Sequence, residues 1–283
     1  MRALNQQTIL ITGATDGLGR ALATALAADG ATVLIHGRDE DRASETLEAI
    51  AAETGSEKLR YLLADLSSLE QVRELARRVV EEHDQLDVLV NNAGIGTTLP
   101  GDGRRMESQD GYELRFAVNY LAGYLLTRTL LGLLERSAPA RVVNVSSAGQ
   151  APIDFTDVML ERRYDGVQAY CQSKLAQIMF TFDLEQELAG RNVAVNCLHP
   201  ATFMDTTMVR MSGVQPISTV EDGGAAILQL VEQPSLEGRS GLYFNGMRES
   251  RADPQAYDAA ARRKLRALSF ELVAVADPVE PRV

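Results

Sequence analysis

Along most of the chain, apolar positions alternate between two rhythms. Short β-branched runs at 8–12, 32–36, 59–64, 87–91 and 141–146 are apolar almost throughout, as in strands buried on both faces. Between them, segments 18–28, 41–53, 69–82, 113–136 and 169–189 carry apolar residues at three- and four-residue spacing, which predicts helices with one inward face. A strand at 193–198, a helix over 221–232 and a short strand at 241–244 continue the series. Repeated strand–helix–strand units with short connections imply parallel pairing, because right-handed crossovers put helices on both sides of the sheet. The expected fold is α/β: a single Rossmann-type, doubly wound parallel sheet of about seven strands, with its ligand beyond the C-terminal strand ends.

Composition narrows this picture. No internal repeat or Pro/Gly/Ser linker divides the 283 residues, so one domain spanning 1–283 is expected, with a proline- and charge-rich tail from Asp277 that frays. Apolar residues make up 45% and charged residues 24% of the chain, enough for a sizeable core. A formal net charge of −11 repels a phosphate backbone and argues against nucleic-acid binding. The longest apolar stretch, around 120–134, contains Arg128 and reads as too short to span a bilayer. The first residues contain no apolar signal core, so the expected location is the cytoplasm. Cys171 and Cys197 give neither a disulfide framework nor metal-ligand spacing, and no metal is expected.

Candidate chemistry begins where the first strand ends. Gly13-Ala14-Thr15-Asp16-Gly17-Leu18-Gly19 places three glycines before a helical pattern. Glycine permits the tight turn, and a helix N-terminus offers free N–H groups to a pyrophosphate. The second strand ends Ile35-His36-Gly37-Arg38, where NAD-selective proteins usually place an acid for the ribose 2′-hydroxyl. Arg38 supplies instead a charged planar fork suited to a 2′-phosphate, so NADP(H) is favoured over NAD(H), which the site can still admit. Asp65-Leu66 closes the third strand and Asn91-Asn92-Ala93-Gly94 the fourth. A short polar side chain there can bond adenine, and small Ala93 and Gly94 let backbone lie along a ribose. Helix capping by Asp65 and a plain turn at Asn91-Asn92 explain the same residues equally well.

After the fifth strand stand Ser146-Ser147, and further on Tyr170-Cys171-Gln172-Ser173-Lys174. Tyrosine and lysine at i and i+4 share a helix face, and a neighbouring ammonium favours the phenolate of a group that otherwise titrates near 10. Through Thr12 to Gly19, Asn91 to Gly94, Asn119, Ser147 and Tyr170/Lys174, the chain resembles the short-chain dehydrogenase/reductase family over about residues 8–245. The longer spacing from Ser147 to Tyr170, with Arg262-Arg263-Lys264-Leu265 near the C-terminus, is similar to the branch containing retinol dehydrogenases and light-dependent protochlorophyllide reductases.

The resemblance implies that Tyr170 is the acid and base at the carbonyl oxygen, that Lys174 lowers the phenol's pKa and holds the nicotinamide ribose, and that Asn119 steadies a proton-relay water. It implies Ser147, rather than Ser146, as the bond to substrate oxygen; only one of the pair can face the site. The family usually has Pro-Gly and then a carboxamide-binding threonine after the sixth strand, whereas this chain has His199-Pro200-Ala201-Thr202. Thr206 is the first candidate for that contact, with Thr202 and Thr207 open, and His199 reads as a packed residue. The resemblance also implies a substrate lid over about 200–217, whose Phe203, Met204, Met208, Met211 and Val214 suit an apolar carbonyl compound. A helical extension and tail follow from about 247. It further implies a homodimer or homotetramer joined through helices 113–136 and 169–189, with Tyr120, Tyr124, Phe180 and Phe182 as the apolar surface. Two competing functions are a nucleotide-sensing regulator without turnover, which the full set Asn119/Ser147/Tyr170/Lys174 disfavours, and a sugar-nucleotide epimerase or dehydratase, which would need a larger C-terminal substrate domain.

Overall fold

The computed structural model describes residues 1–98 and 104–274; the tail reading from Asp277 lies outside the described residues. The first half runs β1 (Thr8–Ile11), α1 (Gly17–Ala28), β2 (Thr32–Gly37), α2 (Glu40–Thr54), β3 (Leu59–Leu63), α3 (Leu69–Glu82) and β4 (Val88–Asn91). A π-helical segment, Phe116–Leu121, leads into α4 (Ala122–Arg136), then β5 (Ala140–Val145), α5 (Gly166–Glu187) and β6 (Val193–His199). The short α6 (Thr207–Met211), α7 (Val220–Glu232), β7 (Tyr243–Asn245), β8 (Arg248–Ser250) and α8 (Ala259–Leu272) follow.

The strands form one sheet in the order β3-β2-β1-β4-β5-β6-β7-β8, parallel except for β8, which returns antiparallel to β7. Strand order reverses between β1 and β4, and this switch point opens the crevice in which such sheets bind ligands. Successive strand side chains go to opposite faces. Ile9, Ile11, Val33, Ile35, Val88 and Val90 thus pack on Leu22 and Leu26 of α1 and Ile227 of α7, whereas Leu10, Leu34, Leu89 and Val142 meet the layer of α3, α4 and α5. Both faces are covered, as the unbroken apolar strand runs require.

The doubly wound α/β sheet is as expected, its eight strands close to the seven or so read from the sequence; the additional one, Arg248–Ser250, is wholly exposed, carries no apolar alternation to betray it and pairs through a turn at Gly246, φ 57°. Two expectations are corrected. The helix read as one piece over 113–136 begins with the π segment, whose extra residue per turn leaves the apolar periodicity almost unchanged. The run from Phe116 to Arg136 is also long and apolar enough to cross a membrane, but 67% of its apolar window is buried inside the fold.

The aromatic surface assigned to a partner subunit is covered by the chain's own residues between Tyr257 and Phe270. Tyr124 stacks on Phe180 (ring centroids 4.8 Å) and on Phe270 of α8 (5.6 Å), and Phe182 lies against Tyr257 (5.3 Å). Arg128 sits over the Tyr124, Phe180 and Phe270 rings and pairs with Glu187 at 2.6 Å. Arg266 of α8 reaches Asp183 (3.0 Å) and Glu187 (3.1 Å). Tyr120, Tyr124, Phe180 and Phe182 are all buried, so they serve the monomer core. The sequence showed the aromatics but not which element would fold over them.

Candidate active site

The glycine turn is held from three sides. Thr12 Oγ1 accepts the amides of Asn92 and Ala93 (both 3.0 Å), and Asn92 Nδ2 donates to the carbonyls of Thr12 (2.9 Å) and Gly13 (3.1 Å). From β2, His36 Nδ1 accepts the Gly13 amide (3.1 Å) while Nε2 faces the Ala64 carbonyl (3.1 Å). That pairing needs a neutral ring with its proton on Nε2. Burial pulls the His36 pKa down to about 4, against the opposing pull of the Ala64 bond and of Asp65. Gly13 has φ +64° and Gly17 φ +48°. Gly19 is demanded by packing, since a Cβ there would stand 2.3 Å from Gly13 O and 2.6 Å from Asn92 Nδ2. Asp16 caps α1 through the Gly17 amide (2.7 Å), and the next amides, of Leu18 and Gly19, make no hydrogen bond among the described residues. Positive-φ glycines followed by free first-turn amides fit a dinucleotide pyrophosphate.

Arg38 is exposed at the end of β2. The room beside Gly37 is filled by Thr15, whose Cγ2 lies 2.6 Å from a Cβ built on that glycine; Gly37 therefore lets turn and strand close together. Asp65 Oδ1 accepts the Ser67 amide (2.9 Å) and Oδ2 accepts Gln109 Nε2 (3.0 Å). Burial works to raise its pKa, but these bonds and the charge of Arg38 hold the carboxyl below its ordinary value. The structure thus keeps Asp65 charged near Arg38 and gives it a turn-forming role, while Leu66 is buried behind it.

The catalytic candidates converge beside the ends of β4 and β5. Ser147 Oγ and the Tyr170 ring flank Gly149, 3.5 and 3.6 Å from where its Cβ would stand, and Ser147 Oγ accepts the Gly149 amide (3.0 Å). Ser146 Oγ instead donates to the Lys174 carbonyl (2.7 Å), buried in the core, so the two serines divide as strand alternation requires. Lys174 Nζ lies 5.9 Å from the Tyr170 ring centroid and donates to the Val145 carbonyl (2.9 Å) and to Gln177 Oε1 (3.0 Å). Burial lowers the Lys174 pKa to about 7. It raises that of Tyr170, with the Ser147 bond acting against it. In this structure, therefore, desolvation governs the phenol, in the direction opposite to that expected from a nearby ammonium. Asn119, in the π segment, accepts the Ile95 amide (2.7 Å) and donates to Ile95 O (3.1 Å) and Ser173 Oγ (3.0 Å). A Cβ on Gly94 would stand 3.3 Å from Asn119 Oδ1 and 3.4 Å from Lys174 Nζ, so the absence of a side chain there lets this loop lie close to both.

The threonines of segment 200–217 named above are each engaged. Beyond buried Pro200, Thr202 Oγ1 meets His199 Nε2 (3.0 Å), Thr206 caps α6 with its methyl over Gly17, and Thr207 Oγ1 donates to Asp16 Oδ2 (2.8 Å). Segment 200–217 therefore rests on the glycine turn. Its Phe203, Met208, Met211 and Val214 are exposed, while Met204 packs against Gly223. His36, Gln177 and the buried Arg115, which bonds the carbonyls of Gly96 (2.8 Å) and Thr97 (2.7 Å), were missed by sequence reasoning. A histidine inside an otherwise apolar strand was the one legible signal among them.

Taken together, fold and site define a nucleotide-dependent oxidoreductase in which a tyrosine, a lysine and a serine meet at a sheet switch point. Residues 7–215 match the family model for short chain dehydrogenases, and the chain belongs to the short-chain dehydrogenase family. It is 38% identical over 288 residues to retinol dehydrogenase 13 of Mus musculus, covering 95% of this chain and 84% of that protein. To retinol dehydrogenase 14 of Homo sapiens it is 38% identical over 298 residues, covering 95% and 87%. These relatives put it in the retinol dehydrogenase-like branch. Among solved structures, an uncharacterised protein from Mycobacterium paratuberculosis superposes with a TM-score of 0.79 at 28% identity, covering 97% of this chain and 96% of that one. A short-chain dehydrogenase from Shigella flexneri 2a complexed with NADP gives 0.70 at 29% identity, covering 87% and 99%.

Proposed function

We propose that this protein interconverts an alcohol and an aldehyde or ketone with NADP(H), and that its substrate is apolar. The observation that carries the reading is the convergence of Ser147, Tyr170 and Lys174 beside Gly94 and Asn119 at the ligand edge of the sheet. A bound nicotinamide supplies or accepts the hydride. The chain's own residues do the rest. Ser147 orients the substrate oxygen, and Tyr170 gives that oxygen a proton in reduction and takes it back in oxidation. Lys174 keeps a proton in the water-poor interior beside the phenol. Arg38, exposed and free to turn, binds a 2′-phosphate and sets the preference for NADP(H). The exposed apolar lid side chains Phe203, Met208 and Met211, and the names of the retinol dehydrogenase relatives, support a retinoid or a similarly long apolar carbonyl compound.

The deciding experiment pairs NADPH oxidation across a panel of retinoid, aliphatic and steroid carbonyls with binding titrations. Tyr170→Phe should lower turnover by about 10²- to 10⁴-fold with NADPH affinity nearly intact; retained turnover would place the proton donor elsewhere. Arg38→Ala should weaken NADPH binding roughly 10- to 150-fold and leave NADH binding unchanged, as expected for a lost charge-assisted pair. Equal NADPH affinity in the two proteins would refute the 2′-phosphate assignment.

A further inference from the structure

Behind the catalytic pair lies a polar arrangement that the family motif does not account for. Gln177, one turn beyond Lys174 on α5, is buried in a stretch where its neighbours Ala176 and Ile178 are core residues. Its Oε1 accepts a proton of the Lys174 ammonium at 3.0 Å, and the Val145 carbonyl accepts another at 2.9 Å. An ammonium has three donors, so these two bonds fix where the third can go. Gln177 also lines an internal cavity of about 10 Å³ with Thr12, Asn91, Asn119 and Gly123. With Oε1 taken by the ammonium, the amide has its Nε2 donor left. Asn91 Oδ1, on the same cavity, is buried with no hydrogen-bond partner among the described residues. A space of this size is just large enough for one water, which would accept from Gln177 and donate to Asn91 Oδ1.

We infer that Gln177 is a positioning residue for Lys174: held by a buried water against Asn91, it keeps the lysine charged and turns its third N–H toward Tyr170 and the cofactor cleft. The inference rests on the part assigned to Lys174 in the proposed function. An uncharged acceptor suits this place, since it stabilises the ammonium without neutralising it. The other groups facing Lys174 are the Tyr170 phenol on the same helix and His199 at the end of β6, whose pKa is lowered by burial and then by the lysine's charge. Asn119 from the π segment and Asn91 from β4 are uncharged. Among these groups, then, none but Gln177 and the Val145 carbonyl offsets the desolvation that draws Lys174 down to about 7.

The test follows the lysine directly. The chain has three lysines, Lys58, Lys174 and Lys264, so full-length protein labelled with ¹³C-lysine gives few side-chain signals, and that of Lys174 is assigned by its loss in Lys174→Arg. Gln177→Met keeps the side-chain length without the amide, and the Lys174 titration midpoint should fall by about one to two pH units, the worth of a charge-assisted hydrogen bond. Gln177→Glu should move it up by about one unit or more. A purely structural residue would not shift the midpoint in opposite directions, so parallel shifts, or a midpoint that stays put in either variant, overturn the inference. The alkaline limb of turnover with saturating NADPH should follow the same order. If the lysine titrations move as stated and turnover does not follow, the assignment of Lys174 to turnover fails while the role of Gln177 toward the lysine stands.

Discussion

Acidification should detach the glycine turn from the sheet through a single histidine. His36 is buried, with one ring nitrogen accepting the Gly13 amide and the other facing the Ala64 carbonyl, so protonating Nδ1 removes the acceptor that Gly13 needs. The folded-state pKa is about 4 against an ordinary 6.5. Between these values the unfolded chain binds a proton that the folded one does not. The stabilisation is therefore present above pH 6.5 and is lost as pH falls toward 4. At about 1.4 kcal/mol per pH unit, the loss is on the order of 3 kcal/mol. Urea unfolding followed by far-UV circular dichroism at pH 7 and at pH 4 measures it, because the difference between wild type and His36→Asn cancels the other titrating groups. Wild type should lose about 3 kcal/mol more than the variant over that range, and NADPH affinity should weaken over the same window in wild type alone. Losses agreeing within about 1 kcal/mol would refute the account.

Gly19→Ala forces a methyl into backbone atoms 2.3–2.9 Å away. Overpacking of about 3 kcal/mol, a Tm lower by roughly 6–12 °C and loss of NADPH binding are expected; a Tm unchanged within about 2 °C would show that the turn can yield. Phe270→Ala removes the α8 ring that covers Tyr124 and Arg128 and should cost about 3–4 kcal/mol, with hydrogen exchange rising first in α8; exchange that rises evenly along the chain would contradict a detachable cover. For Lys174 the sign is the same as for His36, in a window at higher pH. Its folded pKa is lowered, so its burial costs most below about pH 7, and stability should rise from pH 7 toward 10. Lys174→Met should flatten that rise, and an unchanged slope between pH 7 and 10 would assign it to other groups.

The strands β1 to β6 and the helices α1, α2, α3, α5 and α7 were legible because burial on one or two faces imposes a period on the sequence. The candidate catalytic residues were legible as a constellation of motifs, each weak alone, whose order along the chain fits one fold. Strand β8 and the π segment were not, since an exposed polar edge and a single inserted helical residue leave the hydrophobic period intact. Composition could say that Tyr124 and Phe180 are buried, but not by what: the choice between α8 and a second subunit depends on where residues 254–272 fold back. Likewise the four-residue step from Tyr170 to Lys174 placed phenol and ammonium on one helix face. The direction of the phenol's pKa was decided elsewhere, by desolvation of Tyr170, while Val145 and Gln177 accept hydrogen bonds from the ammonium. Periodicity is a local property of the chain and can be read from it. Desolvation and the choice of hydrogen-bond partner belong to the whole packed molecule, and only the tertiary structure fixes them.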